Sequence, residues 1–195
     1  MVLQPRSPAP QFTAEALIGT ETRKVSLSDY KGKYVVLFAW PFDFTFVCPT
    51  EIWAFSDRYK DFEKLGAEVL GFSCDSIFSH YNWVQQPRKE GGLGEINFPM
   101  IADPSQKIAR DYHLLSEEEG CAFRGVFIID PEQKIRIIII NDNNVGRSVD
   151  EIIRSLEALQ FSDKHGEVCP VGWTAGADTI KPEITKSKEF FAKAN

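Results

Sequence analysis

Four cysteines, at positions 48, 74, 121 and 169, are the candidate nucleophiles of this sequence, and Cys48 has the most distinctive surroundings. It stands in Pro41-Phe42-Asp43-Phe44-Thr45-Phe46-Val47-Cys48-Pro49-Thr50-Glu51. The apolar run 34–40 before it reads as a buried strand, and Ile52, Phe55, Tyr59 and Phe62 recur at helical spacing after it. Cys48 therefore falls where a strand hands over to a helix N-terminus. Free backbone N–H groups and the positive end of the helix dipole favour an anion there. For cysteine the anion is the thiolate, the nucleophilic form, which makes up only about 3% of an ordinary thiol at neutral pH. Thr45 can point its hydroxyl at the sulfur, accepting from one partner while donating to another. Pro49 suits a first helical turn, where a missing N–H costs nothing. Spacing alone weighs a buried structural thiol equally.

The remaining composition narrows the chemistry. No pair of cysteines has C-x-x-C spacing, the three histidines are scattered, and no H-E-x-x-H occurs, so neither a metal site nor any other cofactor is expected. With 22 basic against 28 acidic side chains and a formal charge of −6, the chain lacks the basic character of a nucleic-acid binder. No apolar run is long enough to span a membrane. The start, Met1 to Arg6, has no charged region followed by a long apolar one, so the expected location is cytoplasmic, with reduced or catalytic cysteines. A length of 195 residues suits one domain with a substantial core, expected over residues 5–161, followed by an arm over 162–195.

The elements that must position Cys48 follow in order. Residues 5–13, with three prolines, read as an extended arm docking on the core. The helix opened by Cys48 is expected to run to Leu65, where Gly66 ends it. Residues 68–72 give a second buried strand, so the strand–helix–strand unit is a parallel crossover with Cys48 at its strand C-terminal edge. A helix is expected over 76–86, with Phe78, Tyr81 and Trp83 read as core packing, although aromatics also mark interfaces. Asp103-Pro104-x-Gln106 reads as the start of a helix reaching Tyr112. Residues 126–129 and 135–140 form an antiparallel hairpin. Its four consecutive isoleucines would lie on a sheet edge, an aggregation hazard that pairing with a second copy would cover. Ser148-x-x-Glu151 caps a helix with the apolar stripe Val149, Ile152, Ile153, Leu156 and Leu159.

Pro41-x-x-x-Thr45-x-x-Cys48 resembles the active-site signature of the peroxiredoxins, and the string from Asp43 to Glu51 resembles their typical two-cysteine subgroup. Gly91-Gly92-Leu93-Gly94, Phe123-Arg124-Gly125, the run from Val145 to Glu151, and His165-Gly166-Glu167-Val168-Cys169-Pro170 continue the likeness from about residue 5 to the C-terminus. The resemblance implies an α/β, thioredoxin-like fold: a central mixed β-sheet flanked by helices, with an extended C-terminal arm. It implies a thiol peroxidase in which Cys48 attacks a hydroperoxide and becomes a sulfenic acid. Thr45 and Arg124 would hold peroxide and thiolate, Pro41 would shield the pocket, and Glu51 and Arg147 would orient Arg124. Cys169 of a dimer partner would resolve the sulfenic acid as an intersubunit disulfide, which a thioredoxin-like reductant reopens. Cys74 and Cys121 are not needed by the family and read as packing thiols.

The same resemblance implies a homodimer assembling into a decamer, with the aromatics at 78–83 at the dimer–dimer contact. Gly91-Gly92-Leu93-Gly94 with an aromatic pair near the C-terminus resembles members prone to overoxidation and repaired by sulfiredoxin. Here the pair is Phe190-Phe191 where the pattern has Tyr-Phe, which implies intermediate sensitivity. Trp40 stands where the pattern usually has Tyr. A redox-regulated chaperone or a peroxide-signalling relay would use the same cysteines.

Overall fold

The apolar run ahead of Cys48 forms strand β3 (Tyr34–Ala39), buried from Val35 onward. Burial on both faces removes the polar alternation of a half-exposed strand. The structure, a computed structural model, describes residues 3–194. It contains two units, one ending at Val149 and one beginning at Asp150.

In the first unit β3 runs parallel to β4 (Ala67–Ser73) and antiparallel to β8 (Arg124–Ile129). β4 is parallel in turn to β5 (Met100–Ala102). A hairpin of β1 (Thr13–Ile18) and β2 (Glu21–Ser26) joins through β1, and β9 (Ile135–Asn141) pairs with β8 at the far edge. The result is a seven-stranded mixed sheet in the order β2-β1-β5-β4-β3-β8-β9, the thioredoxin-like arrangement the sequence implies. β1, β2 and β5 went unread for a physical reason: β5 has three residues, and β2 exposes Glu21, Thr22, Arg23 and Lys24 on an edge. A two-stranded ribbon of β6 (Leu115–Ser116) and β7 (Cys121–Ala122) precedes β8. The N-terminal arm docks as expected: the N–H groups of Arg6 and Ala9 donate to the carbonyls of Ile135 and Gln133.

Three helical expectations need correction. The helix after Cys48 is two helices, α1 (Cys48–Asp57) and α2 (Tyr59–Lys64), broken at Arg58, which pairs with Asp61 at 2.6 Å. Phe55 and Phe62, seven residues apart and so on one helical face, still both bury fully and stack at 6.1 Å, while Tyr59 stays half-buried with its hydroxyl on Glu68. In α3 (Ile77–Val84) only Trp83 of the three aromatics packs inside; Phe78 and Tyr81 are 76% and 43% exposed. Ile77, His80 and Trp83 take the single stripe that one helix can turn inward. The helix expected from Asp103 begins later, as α4 (Lys107–Asp111). Residues 103–106 form a turn closed by the Gln106 N–H on the Asp103 carbonyl, and the Asp103 carboxylate accepts from the Ala109 N–H.

Gly71 of β4 sits under two rings: a Cβ there would lie 2.8 Å from Phe38 and 2.9 Å from Trp40. Gly71→Ala is expected to lower stability by about 1–3 kcal/mol in denaturant titration, because these rings cannot move without disturbing their neighbours.

The second unit holds α5 (Val149–His165) from its second residue onward, a helix that continues past residue 162 where the arm is expected to begin, and α6 (Ser187–Ala194). Between them Val168 bridges Ile180, and Trp173 packs on Phe161 with ring centroids 5.2 Å apart. Among the described residues no helix is long and apolar enough to cross a membrane.

Candidate active site

Between β3 and α1 the chain must turn sharply to start a helix at Cys48. Phe44 provides the turn with a left-handed φ of 56°, a conformation that costs a bulky residue about 1–3 kcal/mol. Its ring lies against Trp83 at 5.5 Å. Buried Asp43 anchors the same loop, accepting from Trp40 Nε1 at 2.9 Å and bonding His80 Nδ1 at 2.7 Å, while its own N–H donates to Asp75. Trp40 thus supplies a donor to Asp43 through its indole N–H. The other ring nitrogen of His80 faces the Ile101 carbonyl at 3.2 Å, so acceptors flank both nitrogens and the protonated ring satisfies both. Burial alone pushes the His80 pKa down, but Asp43 and that carbonyl hold it above the usual value. Its contribution to stability is therefore present below the unfolded value and lost as pH rises through the folded one.

Cys48 is fully buried at the first position of α1, whose start has no side-chain cap. Arg124, the first residue of β8, places Nη1 at 3.3 Å from its sulfur. Two acceptors aim that guanidinium. Glu51, one turn along α1, takes Nη1 at 2.7 Å, and the Asn143 carbonyl takes Nε at 2.9 Å and Nη2 at 2.8 Å. Arg147 holds Glu51 from the other side through Nε and Nη2, both at 2.8 Å. It is itself fastened to the carbonyls of Ala39 and Gly125 and lies over the Phe38 ring at 5.4 Å. Burial alone would raise the Glu51 pKa, but Arg147 and then Arg124 outweigh it and hold the carboxyl below its usual value.

A cleft of about 530 Å³ opens beside the sulfur, lined by Pro41, Thr45, Cys48 and Arg124 together with Glu119, Cys121 and Asn143. The Thr45 hydroxyl donates to the Phe42 carbonyl at 2.9 Å rather than to the Cys48 sulfur, so its lone pairs remain for a ligand. The structure thus gathers Pro41, Thr45, Cys48, Glu51, Arg124 and Arg147 at one site. Cys169 belongs to the second unit, where its thiol lies 3.5 Å from the Ala158 carbonyl. Burial raises the Cys169 pKa against the opposing charge of Arg154.

Cys74 packs against the core, as expected, and burial pushes its pKa up to about 12. Cys121 does not merely pack: it lines the cleft with Cys48. The sequence reading missed Asn143, which acts through a backbone carbonyl and leaves no side-chain signature. It also missed the Asp43–His80 pair, whose partners stand far apart along the chain.

A buried sulfur at a helix start, a charged donor upon it and an open cleft beside it suit a protein whose chemistry runs through a cysteine on a thioredoxin-like fold. Residues 5–138 match the AhpC/TSA family, and residues 158–193 match the C-terminal domain of 1-Cys peroxiredoxin. The chain is 61% identical over 186 residues to peroxiredoxin prdx-2 of Caenorhabditis elegans, covering 95% of this chain and 92% of that one. It is 58% identical over 188 residues to peroxiredoxin-2 of Bos taurus, covering 96% and 94%. The solved structure of a reduced 2-Cys peroxiredoxin from Plasmodium vivax matches with a TM-score of 0.94 at 35% identity, over 96% of this chain and 98% of that one. This chain belongs to the peroxiredoxins, in their typical 2-Cys group, and is a thiol peroxidase.

Proposed function

We propose that Cys48 is the peroxidatic cysteine of a two-cysteine cycle acting on hydrogen peroxide and organic hydroperoxides. The observation that carries this is the 3.3 Å approach of a doubly anchored Arg124 to the Cys48 sulfur at the wall of an open cleft. The thiolate attacks the terminal peroxide oxygen, the O–O bond breaks, and the departing oxygen takes a proton as water or an alcohol. Cys48 is left as a sulfenic acid. Arg124 stabilises the charge moving from sulfur to oxygen, and Thr45 offers its lone pairs to the peroxide hydroxyl. Pro41 walls the cleft, while Glu51 and Arg147 keep Arg124 aimed.

Cys169 of a second subunit then condenses with the sulfenic acid to a disulfide, and a thioredoxin-like reductant in the cytosol reopens it by thiol exchange. The test is a non-reducing gel with intact mass after one equivalent of hydrogen peroxide. A covalent dimer that either Cys48→Ser or Cys169→Ser abolishes is the expected result; unchanged thiols in the wild type would sink the cycle.

The non-covalent dimer forms through β9. Its outer edge carries Ile137, Ile138 and Ile139 half-buried and Ile140 49% exposed, an edge that antiparallel pairing with a second copy covers. Sedimentation at micromolar concentration should find no free monomer. Phe78 and Tyr81, turned outward from α3, suit the contact that joins five dimers into a ring.

Two ties support moderate sensitivity to overoxidation. Trp53 of α1 donates to the Gly92 carbonyl at 3.2 Å, and Asp57 of α1 pairs with Arg88 at 2.8 Å, so Gly92 and the turn just before the Gly91–Gly94 stretch restrain the helix that Cys48 must unwind. Slow unwinding leaves the sulfenic acid open to a second peroxide, giving a sulfinic acid for a sulfiredoxin to repair. Mass spectrometry during turnover at millimolar peroxide should find partial sulfinic acid at Cys48; none at all would overturn the point.

A further inference from the structure

Cys121 shares the wall of the cleft with Cys48, and both belong to the unit that ends at Val149. A continuous set of contacts joins the two thiols. Arg124 lies on the Cys48 sulfur and donates twice to the Asn143 carbonyl. The Asn143 side-chain amide donates to Glu119 Oε2 at 3.0 Å and faces the Cys121 sulfur at 3.9 Å. The Cys121 thiol points at the same Glu119 oxygen, 3.6 Å away. A second sulfur therefore stands at the reaction cleft with its own carboxylate acceptor. A packing thiol needs neither.

We propose that Cys121 is a second resolving cysteine, able to condense with the Cys48 sulfenic acid inside one subunit with Glu119 as its base. The inference rests on Cys48 forming that sulfenic acid. The Cys121 sulfur bonds to the Cys48 sulfur and the Cys48 S–O bond breaks. The departing hydroxide leaves as water with the thiol proton, relayed by the Glu119 carboxylate. The Cys121 sulfur is oxidised and the sulfenic sulfur reduced, so the peroxide already consumed supplies the oxidising equivalent and no further oxidant is required.

Burial and Glu119 push the Cys121 pKa up to about 11, so this group is a neutral thiol until it reacts. That is why its attack needs an adjacent base and why it does not compete for peroxide, which reacts with thiolates. The route forms a disulfide without a covalent dimer. It also competes with a second peroxide for the sulfenic acid, independently of the arm that carries Cys169.

The test uses the full chain carrying Cys169→Ser, which removes the intersubunit partner. After one equivalent of hydrogen peroxide, the expected product is a non-reducing monomer lighter by two hydrogens, with the Cys48 and Cys121 peptides linked. Adding Cys121→Ala should replace that link by a sulfenic acid at Cys48 that dimedone captures. Glu119 is exposed, so Glu119→Gln leaves the fold intact and should slow appearance of the link by roughly 10²-fold.

A Cys169→Ser chain that gives dimedone-labelled Cys48 with a free Cys121 thiol overturns the proposal, as does a link to Cys74. The peroxidase reading fails in a different way, with no label and no link at Cys48 in any variant.

Discussion

Cys48→Ser is expected to lower peroxide turnover by at least roughly 10³-fold while the protein still folds. A serine hydroxyl fits the space, since oxygen is the smaller atom, but it does not ionise near neutrality and cannot perform the displacement at the O–O bond. The 3.3 Å contact with Arg124 becomes a hydrogen bond to a hydroxyl, so the buried guanidinium keeps an acceptor. Stopped-flow consumption of hydrogen peroxide measures the loss, and thermal unfolding checks the fold. Turnover within tenfold of wild type would transfer the nucleophile to another cysteine.

Arg124→Lys separates charge from geometry at the same site. A lysine has one ammonium where Arg124 spreads contacts over Cys48, Glu51 and Asn143, so it cannot hold all three. The expected cost is about 10²–10³-fold in the oxidation step, the scale for losing one aimed donor.

Glu51→Gln should produce the largest loss of stability. Glu51 is 3% exposed and is the carboxylate between two arginines whose side chains are 4% and 1% exposed. Removing its charge leaves both guanidinium groups buried without a counter-ion, and the amide nitrogen turns a donor toward donors. Breaking a buried pair in this way costs about 3–5 kcal/mol. The pH dependence identifies the cause. The Glu51 pKa is lower folded than unfolded, so its contribution is fully present above the unfolded value and is lost as pH falls through the folded one. The gap between wild type and variant in urea midpoints should therefore shrink on acidification below about pH 4, near the unfolded carboxyl value. A gap that stays constant with pH would assign the loss to packing instead of charge.

Much of this site was legible in the chain itself. The strand run and the helical spacing after Cys48 are local patterns, and local patterns survive in a linear string; Pro41, Arg124 and Arg147 are marked only by the resemblance to the peroxiredoxins. The crossover that places Cys48 at a strand edge follows from element order alone. Gly66 ends α2 as read, with φ at 63°.

What escaped depends on contacts between residues far apart in sequence. The outward turn of Phe78 and Tyr81 is decided by which stripe of α3 meets the core. Propensity is weaker than such packing. Asn143 enters through a main-chain carbonyl, which every residue carries, so no side chain announces it. The Asp43–His80 pair is a polar contact that burial makes costly unless complete, and only the fold completes it. Cys121 shows the division most plainly. The sequence established that a thiol stands three residues before Arg124. Glu119 stands two residues before it, but only the tertiary structure, by turning β7 and β8 onto the cleft, placed that thiol on the same wall as Cys48.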